Sequence, residues 1–461
     1  MRLQRKIVGG IAVTALLTSL GAIASVQAQE YWQAANDPTT EDYVRAPLPK
    51  GFSVQATELE GPVFADSRGM TLYSWPLHRL RNGDLGDRKG ETPSCIDKVY
   101  TTNSGLMSPY PGGYELPELD TRPSCVELWP PVLAEDGAEP VGKWTIVERD
   151  DGSKQWAYDE FPLYTSVLDS KPGDVMGGTR FEARGDGPAV REPVGPPPSV
   201  PPSMAVAQMT TGRMVVNHEG YAVYAWEGDE PNKSNCVGSC LDSWKPVLAP
   251  ETANPQGEWS ITQRSPGIGQ WTYRGHPLYT HIADTRYRAF TGSDVPGWQN
   301  VFTQRMPAPP QEFTIQDARI GHVLADSNGR TIYVYNCGDD APDQLACDNP
   351  NSTQAYRMAI CGGGDPDVCV KTWPYVVASE GASSDSRSWS VITIDPKTGH
   401  FAEPDQAGAL RVWAFRGRPV YTFAGDDRVG ETEGDAWGEF YGYRNGFKAF
   451  WLRDDFLSNA G

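Results

Sequence analysis

The sequence lacks the short motifs that mark the common enzyme classes. It has no HExxH zinc motif, no GxSxG nucleophile elbow, no phosphate-binding loop and no GxGxxG dinucleotide fingerprint. Histidine is scarce, and its six residues are scattered along 461 positions, which does not fit the ligand spacing of a zinc site. The residues therefore predict no catalytic residue and no metal site. An enzyme of unrecognised type, such as an envelope hydrolase, remains an alternative.

Cysteine occurs eight times but never as CxxC or CxxCH. This absence argues against a thioredoxin-like centre and against covalently attached c-type haem. We therefore predict no cofactor, and a redox cofactor held without covalent attachment is the alternative.

Long apolar runs are also lacking, except at the beginning of the chain. There MRLQRK precedes the apolar stretch IVGGIAVTALLTSLGAIA and the small residues Val26 and Ala28. This order predicts a secretory signal peptide over residues 1–28, with an uncleaved anchor helix as the alternative. The first cysteine is Cys95, so no cysteine is placed for lipid attachment. We expect a soluble periplasmic or secreted protein without a transmembrane segment in the mature chain.

Basic residues are few compared with acidic ones, and the whole chain carries a net charge of −19. Removing Arg2, Arg5 and Lys6 with the signal leaves 37 basic and 59 acidic residues, a net charge of −22. Such a field repels nucleic acid and favours a cationic envelope protein or a cationic redox partner. Solubility of an exported protein would explain the same charge.

Four sequence features recur three times in the same order. A glycine turn leads to an apolar residue and Tyr in ADSRGMTLYSW (65–75), VNHEGYAVYAW (216–226) and ADSNGRTIYVY (325–335). A Cys-x3-Trp segment follows at 125–129, 240–244 and 369–373, and then a second Trp segment at 142–147, 257–262 and 387–392. Each copy closes with PLYT (162–165 and 277–280) or PVYT (419–422).

This recurrence predicts three modules, because self-similarity in one order is the signature of tandem repeats. Pro-rich segments at 191–204 and 305–311 separate the copies and are typical of semi-rigid linkers. The predicted modules cover residues 29–190, 205–304 and 312–461.

The local pattern predicts an all-β fold with small antiparallel modules built from Tyr-centred hairpins and loop insertions. The hairpin tyrosines are Tyr73, Tyr164, Tyr224, Tyr279, Tyr333 and Tyr421. Six such elements could instead close into a six-bladed propeller, although the Pro-rich linkers argue against closure.

The cysteines follow the repeat. Alignment on Cys-x3-Trp predicts the disulfides Cys95–Cys125, Cys236–Cys240 and Cys361–Cys369, and it leaves Cys337–Cys347 as a bridge within an insertion. The close spacing of Cys236 and Cys240 leaves a reactive dithiol or half of a metal site as the alternative there.

Tyr, four variable residues and Asp form a repeated motif at Tyr164/Asp169, Tyr224/Asp229, Tyr279/Asp284 and Tyr421/Asp426. This spacing resembles the secreted-repeat family with a Y-X4-D motif, also described as predicted lipoproteins with a Yx(F/W/Y)xxD pattern. Tyr224, Trp226 and Asp229 satisfy that longer pattern. The resemblance implies export and repeated small modules, with electron-transfer or cell-envelope roles suspected for some members. His78 and Gly338 depart from it, since they stand five residues after Tyr73 and Tyr333.

The motif residues are candidates for either binding or structure. We interpret them as hairpin ends in which Asp caps the following turn, because a single site would not need three copies. Trp75 and Trp226 share a strand face with the preceding Tyr, so they predict core packing or an exposed binding strip. We expect an exported, non-enzymatic binding or scaffold protein, with an electron-transfer accessory of a c-type cytochrome as the alternative.

Overall fold

The computed structural model describes residues 41–452, except 77, 81–82, 99–105, 108–113, 116–122, 179–190, 286–288, 320, 337–347, 353, 436 and 438–445. The predicted signal peptide and the predicted Cys337–Cys347 bridge lie outside the described residues. Within the described residues, no helix is long and apolar enough to span a membrane.

Short strands in small antiparallel sheets make up most of the regular structure, as the sequence predicts. The first part of the chain contains β1 (Ser53–Gln55), β2 (Val63–Ala65), β3 (Tyr73–Ser74), β4 (His78–Leu80), β5 (Gly83–Leu85), β6 (Leu106–Met107), β7 (Tyr114–Glu115), α1 (Cys125–Leu128), β8 (Trp144–Glu148), β9 (Lys154–Tyr158), β10 (Phe161–Pro162) and β11 (Glu192–Pro193).

The second part contains β12 (Met204–Met209), β13 (Gly212–Asn217), β14 (Tyr224–Trp226), β15 (Trp244–Pro246), β16 (Leu248–Ala249), β17 (Trp259–Ser265), β18 (Ile268–Tyr273), β19 (His276–Pro277), β20 (Tyr279–His281), β21 (Trp298–Asn300) and β22 (Phe302–Arg305). Short 3-10 helices cover Gly238–Asp242 and Thr291–Asp294.

The third part contains β23 (Thr314–Ala318), β24 (Gly321–Ala325), β25 (Tyr333–Asn336), α2 (Ala355–Gly362), α3 (Pro366–Thr372), β26 (Trp389–Ile394), β27 (Leu410–Phe415), β28 (Arg418–Tyr421) and β29 (Gly446–Ala449). Helices α2 and α3 precede the third Cys-x3-Trp tryptophan, where this copy has an insertion.

The motif tyrosines lie opposite each other on neighbouring antiparallel strands. Tyr224 of β14 pairs with Tyr279 of β20, and Tyr333 of β25 pairs with Tyr421 of β28. A bridge pairs Tyr73 with Tyr164 in the same way. The hairpins therefore combine in twos to form three sheets. The six-bladed alternative is wrong, because the strands of two supposed blades pair with each other.

Two outer strands complete each tyrosine sheet. In the second module the order is β15-β20-β14-β21. In the third, Tyr375 bridges Tyr421 and β29 pairs with β25. In the first, Pro131 bridges Tyr164, and β11 pairs with β3. Glu192–Pro193, at the start of the Pro-rich segment 191–204, thus form the fourth strand of the first sheet.

A three-stranded meander follows each Cys-x3-Trp segment. The meander is β8–β10 in the first copy, β17–β19 in the second and β26–β28 in the third. The last two strands are joined by turns with two residues at positive φ: Arg274-Gly275, Arg416-Gly417 and Asp159-Glu160. Such turns favour glycine at the second position, so Glu160, at φ 69°, is in a conformation unfavourable for a side chain.

The extended chain at the end of each meander separates two hydrophobic cores. In the second module, Tyr279 packs in one core with Cys236 and Trp244, whereas Leu278 belongs to a core with Trp259 and Trp271. This division follows from the alternation of side chains along a strand. The Cys and Trp features found in the sequence are therefore core residues.

Ion pairs connect the modules to one another. Arg213 in the second module donates from Nε to Oε2 of Glu41 at 2.7 Å, and the carboxylate is buried. Arg416 in the third module pairs with Glu60 of the first, and both side chains are nearly buried. These ion pairs accompany apolar contacts between modules, since Leu59 of the first module lies in a hydrophobic core with Trp389 and Trp413 of the third.

The turn at Asp159-Glu160 gives a stability prediction. Glu160→Gly should raise the free energy of unfolding by about 1 kcal/mol, because glycine adopts positive φ without the Cβ penalty. Urea unfolding measures this change. Gly275→Ala, at the same turn position in the second module, is the matched control and should lower stability by a similar amount. Equal signs for the two substitutions would contradict the assignment of strain.

Candidate functional site

In the second module, the two Tyr–Asp motifs exchange partners. The Tyr224 hydroxyl donates to Oδ2 of Asp284 at 2.6 Å, and the Tyr279 hydroxyl donates to Oδ2 of Asp229 at 2.8 Å. Each tyrosine therefore bonds the aspartate of the other motif, 60 and 50 residues away. Because the two tyrosines are opposite each other in the sheet, the exchange joins the two hairpins.

The first module makes the same exchange with one substitution. The Tyr73 hydroxyl donates to Oδ2 of Asp169 at 2.8 Å. His78 stands where the motif would place the second aspartate, and Tyr164 instead donates to Oδ2 of Asp87 at 2.9 Å. The tyrosine thus keeps a buried carboxylate partner although the acid comes from a later position in the chain.

The third module keeps one of the two bonds among its described residues. The Tyr333 hydroxyl donates to Oδ2 of Asp426 at 2.6 Å. Tyr421 is buried beside Arg357, whose guanidinium carbon lies 5.9 Å from its ring centroid. Gly338, at the position of the missing aspartate, lies outside the described residues.

Each of three aspartates also closes the loop that follows it. Its Oδ1 accepts the backbone N–H seven positions later, in the pairs Asp169/Met176 (2.8 Å), Asp284/Thr291 (2.9 Å) and Asp426/Glu433 (2.9 Å). A glycine comes next, and the Gly292 N–H donates to the Tyr224 hydroxyl at 3.2 Å. A Cβ on Gly292 would lie 2.6 Å from the Trp244 ring, so no side chain fits there.

The sequence predicted neither the exchange of Tyr–Asp partners between motifs nor the need for a glycine after the loop that each aspartate closes. A signal for the glycine exists, since one stands eight residues after Asp in Asp169/Gly177, Asp284/Gly292 and Asp426/Gly434. The exchange has no such signal, because the spacing within a motif does not show which tyrosine faces which aspartate. The expected capping of a following turn describes only half of what each carboxylate does.

The aromatic residue two positions after Tyr224 belongs to a stack of three indoles. Trp298 lies 3.5 Å from Trp244, with 5° between the planes, and 5.5 Å from Trp226, with 11° between the planes. Trp226 is only partly exposed and is packed against the core. The stack therefore favours core packing over an exposed binding strip.

Equivalent stacks occur in the other modules with different members. In the first, the Arg191 guanidinium carbon lies 3.4 Å from the Trp129 ring centroid and 4.4 Å from that of Trp75. In the third, Phe447 stacks on Trp373 at 3.7 Å. A planar group in the outer strand, or directly before it in the case of Arg191, thus stacks on the Cys-x3-Trp tryptophan each time, and in the first module it is a buried guanidinium.

Burial controls the protonation of these pairs. It raises the pKa of Asp169 to about 7, while hydrogen bonds from Tyr73 and Met176 lower it. It also raises the pKa of Asp426 to about 6 and the pKa of Tyr279 to about 12. The tyrosines therefore stay protonated and donate at neutral pH, which suits a structural hydrogen bond and not a nucleophile.

The described cysteines form three disulfides, which pair as the repeat alignment predicts. They are Cys95–Cys125, Cys236–Cys240 and Cys361–Cys369, with Cα–Cα distances of 5.3, 5.4 and 4.7 Å. Among the residues that the structure describes, no group of three or more His, Cys, Asp or Glu side chains is placed to hold a metal ion.

A cleft of about 770 Å³ lies between the second and third modules. Its wall includes the carboxylates of Glu227 and Asp317, the guanidinium of Arg305 and the ring of His322, whose Nδ1 is 2.8 Å from Asp317 Oδ1. Its volume falls within the range of small-molecule sites. Glu227 is one of the variable positions between Tyr224 and Asp229, and the other side chains lie outside the motif, which explains why the motif did not indicate them.

Loss of a motif tyrosine should cost more stability than loss of its aspartate. Tyr279→Ala removes a buried ring and should lower the free energy of unfolding by about 3–5 kcal/mol. Asp284→Ala leaves the Tyr224 hydroxyl and the Thr291 N–H without their acceptor and should cost about 1–3 kcal/mol. Denaturant unfolding of both variants checks this order, and the reverse order would contradict it.

Asp169 should make stability depend on pH between its unfolded pKa near 4 and its folded pKa of about 7. In this window the folded state holds a proton that the unfolded state has lost. The free energy of unfolding should therefore fall as the pH rises, by up to about 1.4 kcal/mol per pH unit.

Urea unfolding between pH 5 and pH 8 measures that slope, and Asp169→Asn should reduce it. Asp151→Asn removes an exposed carboxylate whose pKa is lowered by hydrogen bonds from Ser153. This control should leave the slope unchanged, because Asp151 titrates below the window. An unchanged slope in Asp169→Asn would show that Asp169 is ionised throughout.

Comparisons with known proteins identify the repeat itself. A family model described as a secreted repeat of unknown function matches residues 145–179, which include Tyr164 and Asp169, and residues 205–248, which include Tyr224 and Asp229. Comparisons with curated proteins and with solved structures gave no match. The chain therefore carries the repeat of this secreted family, whose function is unknown, in two regions.

Proposed function

We propose that the protein is a non-enzymatic binding or scaffold protein of the cell envelope, located in the periplasm or secreted. The observation that carries this proposal is the use of the repeated motif. In the second module, Tyr224, Tyr279 and Asp284 are buried, and both tyrosine hydroxyls donate to carboxylates within the module. The hydrogen-bonding capacity of these buried side chains is thus used within the fold, which supports a structural role for the motif.

The cleft between the second and third modules supports a binding role. It brings surfaces of two modules together, and its rim carries the exposed carboxylates Glu227 and Asp317. With a net charge of −22 for the mature chain, the rim favours a cationic partner by long-range attraction. The partner of this proposal is therefore a basic protein surface of the envelope.

Affinity capture from an envelope extract tests the proposal with a matched pair of variants. The wild-type chain should retain a basic protein at low salt and release it at high salt, because exposed charges are screened. Glu227→Lys/Asp317→Lys should weaken that binding at least tenfold. Glu135→Lys/Glu139→Lys makes the same change of charge at exposed positions of the first module and should keep the binding.

Two outcomes would contradict the proposal. One is the absence of any partner at low salt. The other is equal loss of binding in both charge-reversed variants, which would indicate a response to net charge alone and not a site at the cleft.

A further inference from the structure

The disulfide Cys236–Cys240 is exposed in a way that the other two described disulfides are not. Cys240 is only partly buried. In contrast, the relative exposures in the other two bridges are 0% for Cys95, 4% for Cys125, 5% for Cys361 and 1% for Cys369. Among these three bridges, an external thiol therefore has its best access to Cys240.

The short loop within this bridge explains the exposure. Only Val237, Gly238 and Ser239 separate the two cysteines, so there is no inserted segment between them to cover the sulfurs. Val237 is 65% exposed and Leu241 is 40% exposed. The bridge is thus flanked by apolar side chains that a partner protein could contact.

The two sulfurs differ in their surroundings. Cys236 has 0% exposure, and its carbonyl accepts a hydrogen bond from Nη2 of Arg264 at 2.6 Å. A nearby positive charge favours the thiolate form of a cysteine. Cys240 is therefore the more accessible sulfur for attack, and attack there makes Cys236, next to the Arg264 guanidinium, the leaving group.

Hydrogen bonds hold this loop independently of the S–S bond. The Asn235 N–H donates to Oδ1 of Asp229 at 2.7 Å, and Arg264 also donates to the Ser234 hydroxyl. A disulfide that closes so short a loop restricts the unfolded chain only a little. The bond can therefore open while the second module stays folded.

We propose that Cys236–Cys240 is a thiol–disulfide exchange site for an exported oxidoreductase that carries a pair of thiols. A thiolate of the partner attacks Cys240 Sγ, the Cys236–Cys240 bond breaks, and its electron pair leaves on Cys236 Sγ, which takes up a proton. The partner's second thiol then attacks the mixed disulfide and releases Cys240 as a thiol. Two electrons pass from the partner, which becomes a disulfide, to this bridge. The inference is independent of the proposed binding function.

Graded reduction with dithiothreitol, followed by alkylation and peptide mapping, tests the site in the full mature chain. Cys236 and Cys240 should be labelled at a reductant concentration at least tenfold lower than the cysteines of the other two bridges. Circular dichroism should stay that of the folded protein at this point. Reduction of all three bridges in one step, or unfolding when this bridge opens, would overturn the proposal.

Single-cysteine variants test which sulfur is attacked. Cys236→Ser, which leaves Cys240 as a thiol, should react with an aromatic disulfide reagent at least tenfold faster than Cys240→Ser, which leaves the buried Cys236 thiol. A thioredoxin-type protein whose resolving cysteine is replaced should attack the intact bridge of the wild-type chain and be trapped as a mixed disulfide on Cys240. Equal rates for the two variants, or no mixed disulfide at Cys240, would contradict the assigned roles.

Discussion

The hydrogen bond from a buried tyrosine hydroxyl to a buried aspartate is the interaction on which each module depends. It links the two tyrosine strands through side chains, in addition to their backbone pairing, and the same aspartate fixes the loop that follows it. Asp284 illustrates both roles, since one oxygen accepts from Tyr224 and the other from Thr291. A carboxylate can be buried at low cost only when it is hydrogen-bonded in this way. The exchange of partners makes the two hairpins of a module one cooperative unit.

The modules show which parts of this arrangement can vary. Asp87 replaces the expected aspartate in the first module, because a carboxylate from a later loop reaches Tyr164. Arg191 takes the place that aromatic rings take in the other stacks, because a guanidinium is also planar and interacts favourably with indole faces. The tyrosine pairing is common to all three modules, as are the Cys and Trp positions. The shape of the buried site is thus kept while the residues that fill it change.

Because the motif side chains are buried and hydrogen-bonded inside the fold, we expect contacts with partners on the surfaces between and around the modules. The cleft of about 770 Å³ and the Cys236–Cys240 bridge both lie outside the Tyr–Asp pairs. Insertions differ between modules and change what each one exposes. The first and third modules have long segments before the Cys-x3-Trp cysteine, whereas the second has three residues between its paired cysteines. Modules with one core can therefore present different chemistry to partners.

The sequence by itself determined the repeat, the all-β class and the equivalence of the tyrosines, because spacing and alternation are local properties of the chain. It also indicated the pairing of the described cysteines through their alignment on Cys-x3-Trp. The tertiary structure decided that Tyr224 bonds Asp284 and Tyr279 bonds Asp229, across 60 and 50 residues. It decided as well that Trp226 lies in a stack and that Cys240 is accessible. Contacts between distant segments and the exposure of a side chain follow from how the strands assemble, and the spacing within a motif does not contain that information.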